Sequence, residues 1–183
     1  MIRALSIALL LAVAPALAHK PAEAAPQTLV FPRIASAGGV YGLPDGVAMP
    51  AADAIHRVLI DATGGEATAS GSNRHLEAAA RAVNLYALAG VPPENVRIAV
   101  VVHGKATPLV LSEAAYRRRF GKDSPDAALV AALHDAGVRI HVCGQALMHQ
   151  GFAVADVHED VEVALSAMTK LVELQADGYG LVP

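Results

Sequence analysis

The run from Val96 to Val102, VRIAVVV, constrains the chain more than any other stretch: apart from Arg97 it is apolar at every position, and it closes on His103-Gly104. A strand with one wet face alternates apolar and polar residues, whereas one that is apolar throughout is covered on both faces. Such a strand belongs at the centre of a parallel sheet with helices on either side. Two more runs have the length and borders of strands. Ile55 to Asp61 carries Val58-Leu59-Ile60 and reaches the turn Gly64-Gly65, and Val138 to Cys143 alternates with period two. In the second, Val138, Ile140 and Val142 share one face, and Arg139, His141 and Cys143 share the other.

Helical spacing fills the gaps between these runs. Ser72 or Asn73 can cap a helix whose stripe is Leu76, Ala80, Val83 and Ala87, stopping at Gly90-Val91-Pro92-Pro93. Leu111 to Phe120 predicts a short helix carrying Arg117-Arg118-Arg119. A second start follows, with Ser124 as N-cap and Pro125 in the first position, and a stripe of Leu129, Ala132, Leu133 and Ala136 up to Gly137. Gln145 to Gln150 makes a further short helix closed by Gly151. Val161, Ala164, Leu165, Met168, Val172 and Gln175 then repeat at helical spacing to Gly178, which predicts one long helix before a short terminal strand at Tyr179 to Val182. This order predicts an α/β fold, a three-layer sandwich with a mostly parallel sheet, over residues 53–183.

Ahead of it, residues 1–18 have the pattern of a cleavable export signal: Arg3, the apolar stretch Ala4 to Val13, and the small-x-small site Ala16-Leu17-Ala18. The apolar stretch is well short of the ~20 residues of a membrane helix, so no membrane association is expected of the mature chain. A periplasmic or otherwise exported protein beginning near His19 is the expectation. Residues 19–52 read as an arm rich in proline and glycine. Its apolar residues Leu29, Val30, Phe31, Ile34, Val40, Tyr41 and Leu43 are too many for a solvated linker, so part of it should lie against the domain or a neighbouring subunit. Loss of Arg3 takes the formal charge from −3 to −4, and with 4% aromatic residues and no tryptophan nucleic acid is excluded as a partner.

Ligands of open parallel sheets sit beyond the carboxyl ends of the strands. Here those ends are Thr63-Gly64, His103-Gly104 and Cys143-Gly144, and Cys143 is the one cysteine of the chain. At the start of a helix its sulfur would meet backbone N–H groups, a setting that favours thiolate. The competing reading is a small buried hydrophobe. His141, Cys143, His103 and His149 have the chemistry for a soft metal but no ligand spacing, so no metal is expected. There is no phosphate-binding glycine pattern and no other cofactor signature. Arg117 to Arg119 with Lys105 and Lys122 form the one basic run, read as a solvated helix face.

Together, VVVHGKA at 100–106, LHDAGVRIHVCGQAL at 133–147 and ALSAMTKLVELQADGYGLV at 164–182 resemble the DsrE/DsrF-like family, with its YchN-like fold, and in particular exported members. The resemblance covers roughly residues 53–182. It implies a sulfur-relay role in which Cys143 accepts sulfane sulfur as a persulfide and passes it to an acceptor protein or small thio-compound. It also implies assembly of the chain with itself as a homotrimer or hexamer. Cys143-Gly-Gln-Ala146 and Gly151 are similar in spacing to the family's reactive-cysteine stretch, while Met148, His149 and Gln150 stand where it has a basic pair. Cys143 is then the catalytic candidate, with His103, Gly104, His141, Gly144 and Gln145 lining its site. The alternative is a non-enzymatic oligomeric binding or assembly subunit of the same fold.

Overall fold

The computed structural model describes residues 28–69 and 71–182, so the leader-like segment lies outside the described residues. Seven strands and five α-helices follow in the order β1 (Leu29–Val30), β2 (Val40–Tyr41), β3 (His56–Ala62), α1 (Arg74–Leu88), β4 (Val96–Val102), α2 (Glu113–Phe120), α3 (Ala127–Asp135), β5 (Arg139–Cys143), α4 (Gly144–Gln150), β6 (Val161–Ala164), α5 (Ala167–Ala176) and β7 (Gly180–Val182). Strands β3 to β7 form one parallel sheet in the order β6-β5-β4-β3-β7, and β1 and β2 form a separate antiparallel pair.

That strand order decides where the helices go. From β3 to β6 the chain steps across the sheet in one direction, and right-handed crossovers keep α1 and α3 on one face. After β6 the direction reverses, and the return to the far edge at β7 carries α5 over the opposite face. Val58, Ile60, Val100, Val102, Ile140 and Val142 therefore meet Leu76, Ala80, Val83, Leu129 and Leu133 on the first face. Leu59, Ala99, Val101 and Cys143 meet Ala167, Leu174 and Tyr179 on the second. The central strand is buried on both faces from Ile98 to Val102, as its composition demands.

Caps set the helix boundaries. Asn73 accepts the His75 N–H at 2.9 Å to start α1, and Ser112 accepts from Ala115 to start α2. Three boundaries differ from the sequence reading. The third helix starts after Asp126, two residues beyond Ser124, with no side-chain cap, and residues 104–110 form a 3₁₀ segment ahead of α2. The single long helix expected from Val161 is in fact strand β6 followed by α5. Ser166 breaks the run by accepting the Thr169 N–H at 3.1 Å, and Val161 and Val163 pair in register with Ile140 and Val142. As a result Leu165, Met168 and Val172 lie on the outer side, at 73%, 78% and 64% exposure.

Residues 33–40 of the arm are packed onto α1. The amide of Asn84, fully buried, accepts from the N–H groups of Arg33 (3.0 Å) and Ile34 (2.8 Å) and donates to the carbonyls of Ile34, Ala37 and Gly38 (3.0–3.1 Å). Gly38 has a φ of +66°, and a Cβ there would stand 2.2 Å from the Arg81 nitrogen, so only glycine lets the arm approach this closely. Ile34 and Ala37 thereby join the main core.

Candidate functional site

Cys143 ends β5 and caps α4. Its Sγ accepts the Ala146 N–H at 3.4 Å, Leu147 anchors the helix in the core, and Gly151, with a φ of +74°, closes it. Gly144 is required by crowding: a Cβ at this position would lie 2.9 Å from the Ala164 carbonyl oxygen, where the link from β6 to α5 passes. The helix start beside the sulfur is therefore as the sequence reading had it. The exposure that a free sulfur carrier needs is not, because Cys143 is 7% exposed beneath α5.

The β4–β5 ladder ends with Val102 opposite Val142, and His103 and Cys143 each follow that last pair at the same end of the sheet. His103 Nε2 lies 2.8 Å from Asp61 Oδ1, at the carboxyl end of β3, and both side chains are about one-third exposed. The pair forms the solvent-facing side of the row. Gly104 has a φ of +57° and sits 3.2 Å, by its absent Cβ, from the Thr63 carbonyl; that carbonyl accepts the Ala106 N–H. Gln150 Nε2 donates to the Gly104 carbonyl at 2.7 Å, tying the end of α4 to the turn after β4. Gln145 is exposed on the first turn of α4.

His141 shares the face of Cys143 but lies two residues deeper, 2% exposed, with neither ring nitrogen hydrogen-bonded. Glu162 Oε2 comes to 3.3 Å from Nδ1, off the direction a hydrogen bond needs. Burial lowers the His141 pKa, with Lys170 and Arg139 adding to the effect and Glu162 opposing it. His141 is thus a neutral buried neighbour of the sulfur and not part of the rim.

The structure therefore places Cys143, His103, Gly104 and Gly144 at the same end of the sheet, with His141 deeper on the Cys143 strand and Gln145 exposed. Asp61 is the member that the sequence reading missed. The signal for it was positional: Asp61 and His103 each stand at the carboxyl end of a strand on the odd-numbered face, one row apart. His149 is exposed on α4, and among the described residues no three His, Cys, Asp or Glu side chains converge as metal ligands. Two arginines of the basic run have acidic partners. Arg117 pairs with Asp123 and Glu113, Arg118 with Asp156, and Arg119 lies 5.6 Å from the centre of the Phe152 ring.

Among described residues no helix is long and apolar enough to cross a membrane. No curated protein matches the sequence. A protein of unknown function from Methanobacterium thermoautotrophicum has a similar solved structure, with a TM-score of 0.51 and 25% identity over 69% of this chain and 97% of that one. Residues 57–183 match the sequence model of the DsrE/DsrF-like family, a span that takes in the whole parallel sheet apart from the first residue of β3. The chain belongs to the DsrE/DsrF-like family.

Proposed function

We propose that this protein handles sulfane sulfur in the exported compartment, carrying it as a persulfide on Cys143 and relaying it to an acceptor protein or small thio-compound. The observation that carries the reading is the position of the sulfur. It stands at the start of α4 with the Ala146 N–H directed at it, at the carboxyl end of the parallel sheet where ligands of such sheets sit, with His103 just past the end of the neighbouring strand. A backbone donor there is in place to hold the charge of a persulfide anion.

In the loading step the Cys143 thiolate attacks the outer sulfur of a polysulfide or of thiosulfate. The Sγ–S bond forms, the donor S–S bond breaks, and the donor leaves with the bonding pair as a shorter polysulfide or as sulfite. In the unloading step an acceptor thiolate takes the outer sulfur and Cys143 is returned as thiolate, with no net oxidation or reduction. Incubating the purified protein with polysulfide should add the mass of one sulfur atom, removable by reductant and absent in Cys143→Ser. His103→Ala should slow loading without preventing it. A wild-type protein that takes up no sulfur overturns the reading.

The burial of Cys143 favours a second reading, a non-enzymatic oligomeric binding or assembly subunit. Alkylation separates the two. A sulfur that reacts with iodoacetamide in the native protein supports the carrier; one that reacts only after denaturation supports the subunit.

A further inference from the structure

The three central strands begin alike: His56-Arg57-Val58, Val96-Arg97-Ile98 and Val138-Arg139-Ile140. In register, Arg57 stands directly opposite Arg97, and Arg139 is opposite Ala99, one row further along. All three are odd-numbered positions, on the α5 face. Adjacent parallel strands lie about 4.8 Å apart, so the Arg57 and Arg97 side chains leave the sheet next to each other. Like charges placed this way destabilise a sheet.

Among the described residues no carboxylate lies within ion-pair distance of Arg57, Arg97 or Arg139, although Arg81, Arg117 and Arg118 all have acidic partners. Asp160, close by in sequence to β6, is directed instead to His134 and His158, 3.7 Å from each. The one partner of Arg139 is Tyr179, whose Oη accepts from Nη2 at 2.6 Å and so keeps its own O–H free to donate. Val96, Arg97, Ile98, Gly137, Arg139 and Tyr179 surround a recess of about 330 Å³. Two guanidinium groups without an acidic partner and a phenol line this recess, with Arg57 next to Arg97 on the neighbouring strand, in a chain of net charge −3.

We propose that this end of the sheet binds a small, multiply charged oxyanion of the sulfate, phosphate or thiosulfate class, held by Arg97 and Arg139 with Arg57 beside them and Tyr179 donating. The recess has room for such an ion beside the two lining arginines, and guanidinium groups match its oxygens in pairs. Arg139 and Cys143 stand at opposite ends of β5, four residues and about 13 Å apart along the strand, so the site stands or falls independently of the sulfur reading.

The test is titration of the purified chain with sodium phosphate, sulfate and thiosulfate by calorimetry, with ionic strength held constant by sodium chloride. Saturable binding at one site is expected, weakened about tenfold or more in Arg97→Gln and lost in Arg97→Gln/Arg139→Gln. Arg117→Gln/Arg118→Gln should bind as wild type. Thermal unfolding gives a second readout that does not depend on Arg139, whose removal also frees Tyr179. In chloride alone Arg97→Gln should melt at or above the wild-type temperature, because a repulsion is gone, and in phosphate it should melt below. Absence of saturable binding to the wild type overturns the proposal. So does an equal response of wild type and Arg97→Gln, which would mark a general salt effect.

Discussion

A histidine with no hydrogen bond, buried beside the one cysteine, ties the stability of the molecule to pH. Burial lowers the His141 pKa below its ordinary value of about 6.5, so in the window beneath that value the unfolded chain binds a proton that the folded chain does not. Stability contributed by neutral His141 is complete above the window and is lost as pH falls through it. Asp126 works in the opposite sense. Its pKa is raised, by burial first and against the Asn73 N–H that it accepts, so its contribution fades as pH rises above the ordinary carboxylate range. The useful measurement is therefore a difference between proteins. Urea midpoints at about pH 7.5 and pH 5.5 should fall for wild type and change less for His141→Leu. Equal falls would show that the ring does not titrate on unfolding. At this scale the place of Cys143 was legible, because strand period and Gly144 are local signals. Its burial was not, because the cover comes from α5, more than twenty residues later.

Among the elements, the arm is held by one amide. Asn84 uses both its oxygen and its nitrogen on backbone groups between Arg33 and Gly38, and no sequence pattern announces a partner that is backbone. Asn84→Ala should leave buried N–H and C=O groups unpaired and cost on the order of 3 kcal/mol in unfolding free energy. Limited proteolysis should then cut within residues 33–40 well before the sheet is attacked. If arm and domain in the variant unfold at the wild-type midpoint, the clip has no energetic role. Long covered strands such as β4 were readable because nothing but a sheet interior tolerates them. β6 was not, since four residues show too little alternation, and Val161, Ala164, Leu165 and Met168 imitate a helical stripe until Ser166 is seen to cap α5.

For the whole molecule, that misread stripe becomes a surface. Leu165, Met168 and Val172 project from the helix that covers Cys143. Leu43, Met49, Leu85 and Val182 line a separate apolar recess of about 500 Å³ between the arm, α1 and β7. Apolar surface of this extent is what self-association covers, in keeping with the homotrimer or hexamer proposed from the family. Light scattering at micromolar concentration should give a mass above that of one chain. Met168→Lys/Val172→Lys should lower it if copies meet through α5, and a wild-type monomer would remove the assembly from the proposal.

The two outermost strands decide what such an assembly can look like. β6 has four residues and β7 three, so each border of the sheet offers a stub too short to template another chain's backbone. Copies of this protein cannot grow by extending one ladder into the next. Any contact between copies would then fall to side chains on the helices and not to the sheet edges.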